Sequence, residues 1–435
     1  MQLPSPHRNA LRVGLLGFGV VGSGTHSVLT GNRATIAARA GRAIELAMIA
    51  TRTPARAREA VSPEIEVLAD ARDLVQHPAV DVVVEAIGGT TAAREHVLAA
   101  IAHGKHVVTA NKALLALHGD EIFGAARERG VSVHFEGAVA VSIPIVKALR
   151  EGLAANEIEW LAGIVNGTSN YVLTEMRDRG RSYEEALADA QALGYAEADP
   201  ALDVDGGDAA HKLALLAAIA FGGGPRLGDI HVEGVRHVQA ADFKHAARLG
   251  YTIKLLAVAR RSSRGLQLYV HPALIPSNAL LAHVDGRMNA ILVNGNASGV
   301  TMHYGAGAGS RETASAVVAD LVDLARARDS GFPPCVPPLG FHEQTGAQRI
   351  APMASLRLRH YLRISLATPS AAPEILRALA IHDIEVEKYT ASASEAVLLT
   401  RPTEEGRMAA AVSALADLPS VRGVPARLRV EDLVA

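Results

Sequence analysis

Cysteine is nearly absent from these 435 residues, with Cys335 standing alone. One thiol excludes an internal disulfide and a thiolate metal cluster, and such usage fits a reducing compartment. Aromatic residues make up only 4%, which argues against an aromatic-rich sugar pocket. Neither sign of charge prevails: 43 Lys plus Arg face 45 Asp plus Glu. A near-neutral surface offers no field to draw nucleic acid or an anionic membrane. Long apolar runs are missing too. The most apolar stretch, Leu213 to Phe221, is about half the roughly 20 residues a spanning helix needs. The opening MQLPSPHRNA lacks the apolar core of a signal peptide and reads as a short disordered lead. A cytoplasmic protein is expected.

What is present is ordinary for a globular chain, 49% hydrophobic and 20% charged. The length exceeds one hydrophobic core, so two or three domains are expected. From Leu11 to about Glu136, short apolar runs (LRVGLLG, AIELAMIA, DVVVEAI, HVVTA, VSVHFE) alternate with helical periodicity. That alternation predicts an α/β domain over 1–136 with a doubly wound parallel sheet of Rossmann type. Residues 137–329 mix helical segments with alternating strands and read as an α+β substrate domain. The Pro- and Gly-rich stretch 330–355 has a linker's composition. Beyond it, residues 356–435 carry six elements in βαββαβ order, a ferredoxin-like module.

GFGVVGSG contains Gly17-x-Gly19-x-x-Gly22 between a candidate strand and a candidate helix. Gly17 permits a tight turn, Gly19 close approach of backbone to a pyrophosphate, and Gly22 close helix–sheet packing. The anion then meets free N–H groups at a helix N-terminus. A bare motif of this kind arises by chance as a structural turn, but the strand, helix and βαβ units around it favour a dinucleotide. At the end of the second strand, Ala50-Thr51-Arg52 offers no carboxylate for a ribose hydroxyl. Glu45 lies near the strand start, away from the ligand edge. Arg52 suits a 2′-phosphate, which favours NADP over NAD, although a solvated surface arginine would look the same.

Two lysines stand out. Lys112 follows the strand HVVTA at the ligand edge of the sheet, where a lone lysine is otherwise a solvent-facing charge. Lys212 sits four residues after Asp208, on one helix face, ahead of Leu213, Leu215, Leu216 and Ile219. An i,i+4 pair on a surface is a minor salt bridge. On a buried helix, charges persist only when paired, hydrogen-bonded or engaged with ligand. Glu197, Asp199, Asp203 and Asp205 crowd the same stretch. Aldehyde–alcohol interconversion by hydride transfer needs one group to give or take the hydroxyl proton, a role open to Lys212. Nearby carboxylates suit a substrate ammonium. His211 points about 100° away round the helix, and no zinc-ligand spacing is present.

Taken together, GFGVVGSG, VVTANKALLA, GIVNGTSNY, GYAEADP, DVDGGDAAHKL and GAGAGSRETASAVVADL resemble homoserine dehydrogenases, in that order, from about Leu11 to Arg328. The resemblance implies NAD(P)-dependent interconversion of L-homoserine and L-aspartate 4-semialdehyde, in threonine, methionine and isoleucine biosynthesis. It implies Lys212 as proton donor and Lys112 as a second active-site lysine near nicotinamide and substrate. Glu197 and Asp208 match substrate-binding acids, with Asp203, Asn166, Gly167 and Thr168 around the pocket. Phe18, Val20 and Val21 match dinucleotide contacts, and Tyr304 to Gly309, including Gly307 and Gly309, returns backbone to the cofactor. FEGAVAVSIPI is similar to a monovalent-cation loop (Na or K) in which Glu136 and the carbonyls of Val139, Val141 and Ile143 surround the ion. The resemblance also implies an ACT-like regulatory role for 356–435, dimerisation through the middle domain, 300–329 returning to the cofactor domain, and a homodimer or homotetramer.

This chain departs from the family pattern in three places. Val141 and Ser142 stand where the cation loop usually has glycines. Glu312 begins ETA in place of Pro-Thr-Ala. PSAAPEI (Pro369 to Ile375) lacks the Asp…Gly loop that would hold threonine. Two other functions remain to be separated: a different small-molecule dehydrogenase, which predicts a catalytic histidine or a sugar pocket, and a non-catalytic nucleotide sensor, which has no use for the Lys112, Glu197, Asp208 and Lys212 set. Absorbance at 340 nm with homoserine and NADP distinguishes all three.

Overall fold

The computed structural model describes residues 10–327, 336–342 and 348–433. Cys335, the N-terminal lead before residue 10 and parts of the 330–355 stretch lie outside the described residues. The chain forms two compact units, each assembled from separate segments.

The first unit comprises Met1–Asn156, Ala214–Gly228 and Gly305–Ala347. Its six strands are β1 (Leu11–Leu16), β2 (Ile44–Ala50), β3 (Glu66–Leu68), β4 (Val82–Glu85), β5 (His106–Thr109) and β6 (Val133–His134). They lie in the order β3-β2-β1-β4-β5-β6, every pair parallel. Strands covered on both faces need continuous apolar sequence rather than alternation, and Val82, Val83 and Val84 are all fully buried. Each such side chain contributes about 1.5–3 kcal/mol of burial. The order reverses direction between β1 and β4, which places a crevice outside their carboxyl ends, where nucleotides bind in sheets of this kind. The late helix Ser310–Ala327 packs Val317, Val318, Leu321 and Leu324 into the same core as Val13, Leu15, Val82 and Val108.

The second unit comprises Glu157–Leu213, Asp229–Tyr304 and Gln348–Ala435. Its strands are β7 (Ile158–Ile164), β8 (His231–Val232), β9 (Tyr251–Ser262), β10 (Gly265–Pro276), β11 (Met288–Gly295), β12 (Gly299–Ala306, which runs into the first unit), β13 (Arg357–Ser365), β14 (Val386–Ala391), β15 (Glu395–Thr400), β16 (Thr403–Glu404) and β17 (Ala426–Val430). They form one sheet in the order β12-β11-β7-β9-β10-β17-β13-β15-β14, with β8 on β10 and β16 on β13. The C-terminal order β17-β13-β15-β14, with helices Ala372–Ile381 and Glu405–Ala416, is the expected ferredoxin-like arrangement with one short strand added.

The expected domain boundaries need redrawing. Residues 356–435 are continuous with the middle of the chain, because β17 pairs β10 in parallel, Ala273 opposite Arg429 and Leu274 opposite Val430. The stretch read as a linker is also partly structural: Leu266 bonds Arg349 and Ala351 across the backbone. Residues 137–156, expected in the middle domain, belong to the first unit.

Candidate active site

The glycine-rich loop lies at the crevice of the first unit. Gly17 has φ +92°, and a Cβ there would lie 2.7 Å from the Ala86 carbonyl oxygen. A Cβ on Gly22 would fall 2.1 Å from Gly17 O, so helix and loop touch backbone to backbone. Nothing lies within 4 Å of a Cβ at Gly19, which leaves its backbone open at the start of the helix Val20–Gly31. Phe18 is buried and Val20 exposed. The return stretch reaches this loop, since Ser310 Oγ donates to Val20 O at 2.6 Å. Just before it, the Glu312 carboxylate packs against Gly309. Arg52 is exposed immediately beyond β2, while Glu45 lies 3.7 Å from Arg33 near the strand's other end.

Glu85, unmarked in the sequence reading, organises the same edge. It ends β4 fully buried. Its Oε1 accepts from Ile87 N (2.9 Å) and Gly88 N (3.0 Å), and its Oε2 accepts from Thr109 Oγ1 at 2.6 Å. Thr109 Oγ1 accepts in turn from Asn111 N at 3.0 Å. Asn111 donates to Gly89 O at 2.7 Å and caps Leu114 N at 3.1 Å. This chain of contacts fixes Lys112 as the first residue of the helix Lys112–Arg129. A cation at a helix N-terminus opposes the macrodipole.

The cluster around Lys212 belongs to the second unit. Asn166 caps the helix Gly167–Arg179, accepting from Ser169 N at 2.8 Å. Its amide donates to Asp203 Oδ1 and Asp208 Oδ2, both at 2.8 Å. Lys212 Nζ lies 2.6 Å from Val165 O and 2.9 Å from Asp208 Oδ2. Both side chains of that pair are only 8% exposed, far from the surface salt bridge their spacing alone would suggest. Burial pushes the Asp203 carboxyl up, with Asp208 adding to the effect, while hydrogen bonds from Asn166 and Thr168 oppose it. Thr168 Oγ1 also bonds Tyr195 O at 2.8 Å. The structure therefore gathers Thr168, Asp203, Asp208 and Lys212 around Asn166.

The remaining acids separate. Glu197 is exposed, with its carbonyl held by Gln191. Asp199 accepts from Ala201 N at 3.1 Å, and Asp205 pairs with Arg236. Sequence reasoning also missed Asn289, which is fully buried on β11 and donates to the same Val165 carbonyl as Lys212, at 3.1 Å. Two amides, Asn289 and Asn294, among the apolar residues of MNAILVNG were the only signal.

In the segment 136–143, the Glu136 carboxylate is buried and accepts from Val146 N and Lys147 N, both at 2.9 Å. Burial first, then the neighbouring Asp320, push its carboxyl up to about 7. Val141 adopts φ +54°, left-handed backbone that a glycine would take without strain. The Ile143 carbonyl accepts from Ile145 N at 2.7 Å.

Known proteins resemble the chain throughout. Residues 144–322 match the sequence pattern of the family described as "Homoserine dehydrogenase", and residues 17–136 match "Homoserine dehydrogenase, NAD binding domain". A homoserine dehydrogenase of Pseudomonas aeruginosa is 49% identical over 97% of this chain and 99% of its own. The crystal structure of a homoserine dehydrogenase from Thiobacillus denitrificans superposes with a TM-score of 0.94 at 48% identity, covering 98% of this chain and 99% of that one. A hyperthermophilic archaeal homoserine dehydrogenase solved with NADPH covers 72% of this chain and 97% of its own, with a TM-score of 0.62 and 25% identity. With both family patterns matched and near full-length identity to such relatives, the chain belongs to the homoserine dehydrogenases, NAD(P)-dependent oxidoreductases.

Proposed function

We propose that this chain interconverts L-homoserine and L-aspartate 4-semialdehyde with NADP as the preferred cofactor and NAD as the lesser one, Lys212 handling the substrate's hydroxyl proton. The observation that carries this reading is the Lys212 ammonium, buried between Val165 O and Asp208 at 2.6 and 2.9 Å. The Gly17–Gly22 loop and the helix behind it would hold the pyrophosphate, with Phe18, Val20, Val21, Gly307 and Gly309 beside it, and Arg52 the 2′-phosphate. Bound there, the nicotinamide supplies the hydride acceptor in one direction and the donor in the other.

In reduction, the Lys212 ammonium gives its proton to the carbonyl oxygen as the carbonyl carbon takes up hydride; in the oxidation of homoserine, the neutral amine takes the hydroxyl proton as the carbonyl forms. Asp208 holds the ammonium in place and keeps its charge compensated between the two steps. Asp203, Glu197 and Asp208 provide the carboxylates for the substrate's α-ammonium, Thr168 borders the same pocket, and Lys112 serves the nicotinamide side. The test is turnover of Lys212→Ala followed at 340 nm, with dinucleotide affinity measured separately. A collapse in turnover with retained affinity is expected.

Around Glu136 we propose a monovalent cation, sodium or potassium, with the carbonyls of Val139, Val141 and Ile143 as the other ligands. Two facing buried carboxylates, Glu136 and Asp320, give the charge a cation would compensate. The Ile143 carbonyl has one lone pair left beside its bond to Ile145. We assign the C-terminal ferredoxin-like part an ACT-like regulatory role and read the protein as a cytoplasmic homodimer or homotetramer. Exposed β14, an edge strand of the second unit's sheet, is a surface such assembly would cover. No helix among the described residues is long and apolar enough to cross a membrane.

A further inference from the structure

We infer that Asn289 is a positioning residue for the proton transfer: its amide fixes the Val165 carbonyl against which Lys212 is held. This rests on the assignment of Lys212 above. Three observations in the second unit lead to it.

The first is the shared acceptor. Val165 O receives Lys212 Nζ at 2.6 Å and Asn289 Nδ2 at 3.1 Å. A backbone carbonyl has two lone pairs, so the two donors together saturate it and leave the peptide one orientation. The second is the strand register. β11 runs antiparallel to β7 with Ala290 opposite Ile164, so Asn289 stands beside the residue that follows β7. There the chain stops pairing and turns into the helix that Asn166 caps. That turn carries both Lys212's acceptor and the amide that joins Asp203 to Asp208.

The third is cost. Asn289 is fully buried, yet its Oδ1 has no hydrogen-bond partner among the described residues. Such an orphan destabilises a fold by about 1–3 kcal/mol, whereas an apolar residue of similar size carries no such penalty. Turning the amide over would set Oδ1 against the Val165 oxygen, two acceptors facing each other, so the donor must point at the carbonyl. A merely packed position has no need of this amide, but a position that must restrain a carbonyl does.

Without Asn289 the Val165–Asn166 peptide can swing, and Lys212 follows its acceptor away from the substrate hydroxyl. Misplacement of a catalytic group by about 1 Å costs on the order of a hundredfold in rate. Proton transfer then becomes slower relative to the other steps.

The experiment uses the full chain with Asn289→Leu, close in size and without a donor, and Asn289→Asp, close in shape with its donor lost on ionisation. Each is measured beside Lys212→Ala and the double variant Lys212→Ala/Asn289→Leu. The expected result is a fall in kcat of about tenfold to a hundredfold with a smaller change in KM for homoserine and unchanged NADP affinity. The solvent deuterium isotope effect on kcat should rise above that of the wild type. The double variant should be no slower than Lys212→Ala alone, because Asn289 acts through Lys212. Wild-type kcat and isotope effect in either folded variant overturn the inference, as does a loss that multiplies with that of Lys212→Ala. If Lys212→Ala itself keeps wild-type turnover, the assignment of Lys212 fails instead, and the two failures are distinguishable. Should Asn289→Leu not fold, Asn289→Asp is read against the same criteria.

Discussion

At the scale of single residues, the cluster around Lys212 depends on one amide and one carbonyl. Asn166 holds Asp203 and Asp208 at 2.8 Å each, and Asp208 compensates Lys212 from 2.9 Å. Removing the ammonium leaves a buried carboxylate without its cation and, on the proposed assignment, the substrate hydroxyl without its proton carrier. Lys212→Ala should therefore lower turnover by about two orders of magnitude or more, the scale of a general acid–base group, as read by initial rates at 340 nm. Dinucleotide affinity should persist, because the glycine-rich loop lies in the other unit of the chain. Arg52 presents a separable case. It is exposed, and the carboxylate that would favour an unmodified ribose is missing from the end of β2. Arg52→Ala should weaken NADP about tenfold, within the range of one charge-assisted hydrogen bond, and leave NAD nearly unchanged. Equal loss for both cofactors in a binding titration would remove Arg52 from the 2′-phosphate site.

At the scale of elements, the strand edge that carries Lys112 is set by Glu85. Glu85→Ala would strip Ile87 N, Gly88 N and Thr109 Oγ1 of their acceptor. Groups buried in this way cost about 1–3 kcal/mol each when left unpaired, so thermal unfolding should show a clear loss of stability. Dinucleotide affinity should fall as well, since the loop 87–89 and Asn111 hang from the same network. An intact melting temperature would show the network to be dispensable. The sequence reveals the parallel sheet through its apolar runs, and the cofactor loop through three glycines placed between strand and helix. It reveals Lys212 and Asp208 because an i,i+4 charge pair is out of place on so apolar a helix. Glu85 escapes notice because an acid closing VVVE looks like any strand terminus. Asn289 escapes because its meaning lies in Val165, 124 positions earlier in the chain. Arg429 escapes too: ARLRV reads only as a strand of the ferredoxin-like module, yet Arg429 is 1% exposed.

At the scale of the whole molecule, that arginine explains why the C-terminal residues are not a detachable module. Arg429 bonds Glu233 through both terminal nitrogens at 2.7 Å and Glu405 at 2.6 Å, while Tyr269 donates to Glu431 at 2.8 Å. Tyr361 and Arg363 of β13 bond Asp242 at 3.0 and 2.7 Å. Truncation after Ala354 would strand Glu233, Asp242 and Tyr269 and uncover the side of β10 that pairs β17. Breaking a buried ion pair from one side costs about 3–5 kcal/mol, so the shortened chain should melt far below the full one or not fold, whatever its catalytic residues retain.

The same seam sets the response to acid. His360 is fully buried, and burial pulls it down to about 4 from an ordinary 6.5. His271, also fully buried, is pulled down by burial as well. A histidine kept neutral by the fold contributes stability that is complete above its unfolded value and is lost as pH falls from about 6.5 toward 4. Burial works against them, yet Glu405 and Glu431 are held below the usual carboxylate range, the first chiefly by Arg429 and the second by Arg260 and the Tyr269 hydroxyl. Their contribution is present above the unfolded carboxylate value and lost below it, so acid weakens the seam through both kinds of group. For His360 alone, the fall from 6.5 to about 4 corresponds to roughly 3 kcal/mol. Denaturant unfolding of the full chain should show stability falling between pH 6.5 and 4, and His360→Phe, which cannot take the proton, should flatten part of that fall. A pH dependence identical in wild type and variant would place the acid-sensitive groups elsewhere.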